Sequence, residues 1–197
     1  MTKDFKNKLA IKHKCNMPIS LGWLVNEEQQ KSPHFSMREK TDTVNLLVVH
    51  NISLPPKQFG GGYITDFFLG KLDVKAHPYF DEIAQLKVSA HCLITREGQI
   101  IQYVSFDDKA WHAGVSSYQG RDRCNDFSIG IELEGADDIP YTTAQYHSLA
   151  QLTQTLQQNY PSIKNNIAGH SDIAPGRKTD PGNAFNWQHF HDCLKSS

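Results

Sequence analysis

No stretch of this chain approaches the ~20 consecutive apolar residues that a membrane-spanning helix requires, so no membrane partner is expected. No run of Lys and Arg stands out either, and 20 basic against 21 acidic residues leave a formal charge of -1. That balance argues against nucleic acid as the main partner. Cysteine is scarce: Cys15, Cys92, Cys124 and Cys193 are widely separated and form no CxxC pair. Four reduced thiols, mostly buried, fit better than a disulfide framework. The stretch MTKDFKNKLAIKHKCNMP is basic but has no apolar run long enough for a signal peptide, which makes the cytoplasm the expected location. An HExxH helix, internal repeats and low-complexity segments are absent as well.

What is present is a chain of 197 residues with the composition of one ordinary globular domain and ten histidines. That surplus of imidazole hints at metal or acid–base chemistry. Residues 1–43 are polar and weakly patterned and are expected to form an extension packed on the core, with a single domain over 44–197. VNLLVVH (44–50) is a β-branched apolar run, expected to be a buried strand with His50 at its end. NISLPPKQFGGGY then breaks the chain. YITDFFLG and HPYFDEIAQL predict short helices, the second with Pro78 in its first turn, within a long excursion (51–87) that could wall or gate a site. VSAHCLIT and QIIQYV, joined by REG, predict a hairpin. FSIGIELE alternates, with Phe127, Ile129, Ile131 and Leu133 on one face and Ser128, Gly130, Glu132 and Glu134 on the other. TTAQYHSLAQLTQTLQQNYP is a helix with a Thr142/Gln145 capping box and a stripe through Tyr146, Leu149, Thr153, Leu156 and Tyr160. A last helix over about 184–195 turns Phe185, Trp187, Phe190 and Leu194 to the core. Interspersed strands and helices predict a mixed α/β fold, a central mixed sheet flanked by helices.

GHSDIAPGRKTDPG (169–182) is irregular by its glycines and prolines, and irregular loops on a scaffold carry binding groups. His50, His170 and Asp180 together make a two-histidine, one-carboxylate set that suits a catalytic zinc with one open position. Each alone has a plain alternative: Asp180 could cap a helix, Lys178 could be solvated surface, and His50 could be a satisfied polar group. Glu132 or Glu134 could serve as a base or simply face solvent. His91 and Cys92 are strand neighbours on opposite faces and cannot act as a thiol pair. His112, in AWHAG, could line a pocket or be structural. Arg121, Arg123, Arg177 and Lys178 would suit a substrate that carries carboxylates.

Taken together, LLVVHNISLPP, FGGGYI, HPYFDEIAQLKVSAHCLITREGQIIQYV, AWHAGVSSYQGRDRCNDFSIGIELEG and GHSDIAPGRKTDPG strongly resemble the zinc N-acetylmuramoyl-L-alanine amidases. That family includes phage lysozyme-type amidases and peptidoglycan-recognition proteins, and the resemblance is to its bacterial members that act on 1,6-anhydromuropeptides. It runs from about residue 44 to about residue 192. It implies an amidase/peptidoglycan-recognition-like fold and one Zn2+ held by His50, His170 and Asp180. It implies Glu132 rather than Glu134 as the group that activates water, and Lys178 as the cation facing the oxyanion. Asn51, Ala110 and Arg123 match positions that line the substrate cleft. Lys87 stands where relatives have arginine, keeping the charge but losing the bidentate fork. The implied reaction cleaves the bond between the lactyl group of muramic acid and L-alanine, in cytoplasmic wall recycling linked to β-lactamase induction, by a monomer. A binding-only muropeptide module on the same fold is the alternative.

Overall fold

The structure, a computed structural model, describes residues 17–196; the first part of the expected extension, with Cys15, lies outside the described residues. Four short strands come first: β1 (Ile19–Ser20), β2 (Trp23–Leu24), β3 (Glu28–Gln29) and β4 (Phe35–Met37). The long strand β5 (Leu46–Ile52) follows, then α1 (Tyr63–Phe68), α2 (Phe80–Ile83), β6 (Cys92–Ile94), β7 (Ile100–Gln102) and β8 (Asp108–Ala110). β9 (Ser117–Tyr118), β10 (Arg121–Asp122), β11 (Ser128–Glu134), α3 (Thr143–Asn159), β12 (Ile167–Gly169), α4 (His170–Ile173) and α5 (Trp187–Ser196) complete the order.

Six strands form one mixed sheet in the order β12-β5-β11-β6-β7-β3. β12, β5, β11 and β6 run parallel, β7 returns antiparallel to β6, and β3 pairs parallel to β7. The expected hairpin is β6–β7, and Gly98 at φ 84 supplies the left-handed residue that its tight turn demands. α3 begins with the expected capping box, Gln145 N–H donating to Thr142 Oγ1 at 3.1 Å and Thr142 N–H to Gln145 Oε1 at 3.1 Å.

Three boundaries differ from the sequence reading. β5 runs on to Ile52 because β11 continues beside it as far as Glu134, so His50 is inside the strand rather than at its end. α2 is a single turn that starts after Pro78, because residues 77–80 close i→i+3 turns, such as Phe80 N–H to His77 O at 3.0 Å, instead of a longer helix. α5 starts at Trp187, and buried Phe185 precedes it in a turn closed on Gly182 O.

The two faces of the sheet are covered differently. On one, Leu47, Val49, Cys92, Ile94, Ile129, Ile131 and Leu133 join residues of α3 and α5 in one apolar cluster. On the other lie two separate clusters, one with Leu93, Phe67, Phe68, Phe80 and Tyr103, the other with Leu46, Val48, Phe127, Ala168 and Ile173. Phe127, expected on the face of Ile129 and Ile131, lies here instead because it precedes β11 and is outside its alternation. Part of the described extension joins the sheet as β3, and the rest grips it from outside. β4 pairs with β8, and the Arg38 guanidinium donates to the carbonyls of Phe106, Asn125, Asp126 and Ser128. Burial lowers Arg38 to about 10.

Candidate metal centre and catalytic cleft

Register decides which side chains meet. Glu132 on β11 is level with His50 on β5, and paired residues of parallel strands share a face. On the other flank Gly169 of β12 pairs with Val49, so the next residues, His170 and His50, come level where β12 passes into α4. The loop after α4 returns because Ser171 N–H donates to Asp180 O at 2.9 Å. Gly169 permits that return: a Cβ there would lie 2.8 Å from Pro181 Cδ.

The result is a triangle of donor atoms. His50 Nδ1 is 2.9 Å from His170 Nδ1 and 3.1 Å from Asp180 Oδ2, and His170 Nδ1 is 3.0 Å from the same oxygen. Protons satisfy such a triangle poorly. If both nitrogens donate to the carboxylate their hydrogens face each other, and if neither does, three sets of lone pairs converge. One cation resolves the conflict, and two imidazoles with one carboxylate are a common catalytic zinc set. The far edges of the rings are already engaged: His50 Nε2 is 2.9 Å from His112 Nδ1, and His170 Nε2 is 3.1 Å from Ala113 O.

The electrostatics suit the same reading. Burial pushes His50 down to about 4, against the opposing pull of Asp180, so the ring is neutral near pH 7 and able to ligate. Burial and then the Asp180 charge push Glu132 well above its ordinary value, with Lys178 pulling the other way. Glu132 Oε2 is buried without a hydrogen-bond partner, which marks a group left free for something that enters the site. Burial and the nearby His50 and His91 rings push His112 well below its ordinary value.

His170, Asp180, Glu132, Lys178, Asn51 and His112 line one cleft of about 360 Å³, walled by Phe67, Tyr79 and Trp111. The 51–87 excursion thus supplies one wall. Asn51 is oriented by its Nδ2, which donates to Asp137 Oδ1 at 2.8 Å. Lys87 is exposed and outside the cleft lining, although its neighbours Leu86 and Val88 belong to it. Ala110 is 0% exposed in β8, which leaves it no surface to offer a ligand; its neighbour Trp111 takes the place in the wall. Arg123, with φ 62, pairs with Asp126 at 3.1 Å and lines a second hollow beside Arg177 and Ser116. Arg177 donates to the carbonyls of Ala113 and Val115, and Arg121 lies 3.5 Å from Asp42 and 4.1 Å over the Phe127 ring.

The plain alternatives fare differently: Lys178 is exposed, as a solvated lysine would be, and also lines the cleft. Asp180 caps neither α4, which Gly169 precedes, nor α5, where Asn186 Oδ1 accepts from His189 N–H. Glu134 does not face solvent: it is buried and accepts from Gly60 N–H and Arg96 N–H. Cys92 sits in the apolar cluster with its thiol driven well above its ordinary value by burial, on the face opposite His91. His112, left undecided by the sequence, touches His50. The sequence signal that could have singled it out is Gly130, a glycine inside a strand, which often marks the close approach of another group; an added Cβ there would run into the His112 ring.

Residues 40–183 match the family described as N-acetylmuramoyl-L-alanine amidase, and the chain belongs to that family. Within it the chain is similar to the 1,6-anhydro-N-acetylmuramyl-L-alanine amidase AmpD of Enterobacter cloacae, 60% identical over 181 residues covering 92% of this chain and 97% of that one. Among solved structures, a selenomethionine AmpD derivative superposes with a TM-score of 0.88 at 58% identity, covering 90% of this chain and 99% of that one. The amidase AmiD from Escherichia coli, solved with the substrate anhydro-N-acetylmuramic acid-L-Ala-D-gamma-Glu-L-Lys, gives a TM-score of 0.56 at 28% identity, covering 79% and 60% of the two chains. Among the described residues no helix is long and apolar enough to cross a membrane.

Proposed function

We propose that the protein is a zinc-dependent hydrolase of the amide bond between the lactyl group of 1,6-anhydro-N-acetylmuramic acid and L-alanine. The observation that carries this reading is the buried triangle of His50, His170 and Asp180 in one cleft with an unpartnered Glu132 oxygen. His50 Nδ1, His170 Nδ1 and Asp180 Oδ2 would hold the ion. When bound there, zinc supplies a Lewis acid that acidifies water and polarises a carbonyl.

The chain's own residues do the rest. Glu132 accepts at its free oxygen the proton of the water that adds to the lactyl carbonyl. It returns that proton to the nitrogen of L-alanine as the C–N bond breaks and the amine leaves. The Lys178 ammonium stabilises the oxyanion formed in between, and removal of one such donor typically costs ~100- to 1,000-fold in rate. Neither residue serves as a nucleophile, so no covalent enzyme intermediate forms. Asn51 orients the substrate within the cleft, and Lys87 and Arg123 meet its carboxylates beyond the rim. The protein acts as a cytoplasmic monomer. A binding-only module would be expected to have lost a ligand or the acid–base pair, whereas all five residues stand together here.

The test is incubation with a defined anhydromuropeptide, with and without a chelator, followed by analysis for free peptide. Release that the chelator abolishes and added zinc restores is the expected result. An intact muropeptide bound by zinc-loaded protein would establish the binding module instead.

A further inference from the structure

An imidazole ligates through an unprotonated nitrogen, so something must decide which ring nitrogen carries the proton. Here the decision starts at a backbone carbonyl. Cys124 O accepts from Ser128 Oγ at 2.6 Å, and a carbonyl has nothing to donate. With its only hydroxyl proton committed, Ser128 Oγ must accept from His112 Nε2–H at 3.0 Å. The other nitrogen of the neutral His112 ring, Nδ1, is then an acceptor, and it lies 2.9 Å from His50 Nε2. His50 therefore carries its proton on Nε2 and turns the Nδ1 lone pair toward His170 and Asp180.

The adjacent residue does the same for the second ligand. Ala113 O, which also receives Arg177 Nη2 at 2.6 Å, accepts from His170 Nε2–H at 3.1 Å and leaves Nδ1 of that ring bare. Both supporting residues are held by one side chain: Asn125 Oδ1 accepts from the backbone N–H of His112 at 3.2 Å and of Ala113 at 2.9 Å. The ring of His112 also occupies space that only a glycine at 130 leaves open.

We propose that His112 is a positioning residue, and that the relay Cys124 O–Ser128–His112 with the Ala113 carbonyl fixes the tautomers of both histidine ligands. The inference rests on the metal reading above, and its test separates the two. Nitrogen-15 histidine spectra of the protein, metal-free and zinc-loaded, are expected to show His112 protonated at Nε2 and bare at Nδ1. Chelator competition is expected to show zinc held about 10- to 100-fold more weakly in His112→Phe. His112→Asn, which keeps an acceptor oxygen near the Nδ1 position, restores most of that affinity. Ser128→Ala, a milder change than loss of the ring, weakens zinc and lets the Nδ1–H form of His112 appear in the spectrum. A wild-type His112 protonated at Nδ1, or unaltered zinc affinity in both His112→Phe and Ser128→Ala, overturns the relay. Wild-type protein that takes up no zinc overturns the metal reading, while the tautomer in metal-free protein still decides the relay.

Discussion

Ile131 and Glu132 are adjacent in β11, yet they belong to opposite faces of the sheet with different tasks. Ile131 is fully buried in the single apolar cluster under α3 and α5. Glu132 points to the face where the apolar cover splits into two clusters, and the polar groups lie between. A second contrast lies within that polar face. Glu134, two residues on, is buried but satisfied by Gly60 N–H and Arg96 N–H, and it ties the glycine-rich start of the excursion to the sheet. Glu132 has a buried oxygen that nothing satisfies. Burying an unpaired polar atom costs stability, so its persistence where His50, His170 and Asp180 converge points to chemistry rather than to folding.

That contrast can be broken by experiment. The largest expected effect is Glu132→Ala, which loses about 100- to 10,000-fold in kcat with zinc content unchanged; near-normal turnover would remove the residue from the mechanism. Lys178→Ala follows at ~100- to 1,000-fold, also in kcat, with little change in Tm because the side chain is exposed. Ile131→Ala should do the opposite, lowering stability by about 2–5 kcal/mol in a denaturant titration while the folded fraction keeps its kcat. If Ile131→Ala damaged turnover as much as Glu132→Ala, the two faces would not be separable.

The smallest effect sharpens the picture most. Because burial raises Glu132, folded metal-free protein binds that proton more tightly than the unfolded chain does. Its stability therefore falls as pH rises above the ordinary carboxylate value of about 4.3. Glu132→Gln removes that slope and should raise the Tm of metal-free protein near pH 7 by about 2–4 °C, equivalent to about 1 kcal/mol. A lower Tm would mean that Glu132 is a structural group like Glu134.

Much of the scaffold is legible in the sequence because its signals are local. The alternation of Ser128–Glu134, the capping box at Thr142 and the REG turn each lie within a few residues. The two-residue edge strand at Glu28–Gln29 carries no such pattern; it exists because β7 offers a free edge beside it. α2 is shorter than its sequence suggests because turn hydrogen bonds take the residues around Pro78. The site is harder to read. Composition and spacing leave Glu132 and Glu134 undecided, since alternation puts both on one face, and only the partners made by Glu134 across the fold separate them. The meeting of His50, His170 and Asp180 depends on the register of β12 against β5 and on a loop closed at Ser171, which no short window contains; the long ordered motifs shared with the amidase family anticipate it. His112 is least legible, because its contacts bridge one loop and two strands, to His50 in β5 and to Ser128 in β11.

The central claim is that three side chains gather one divalent ion, and metal analysis of dialysed protein tests it most directly. Wild-type protein should retain one equivalent of zinc, and Asp180→Ala should lose most of it under the same dialysis. No retained metal in the wild type, or equal metal in both proteins, would contradict the account.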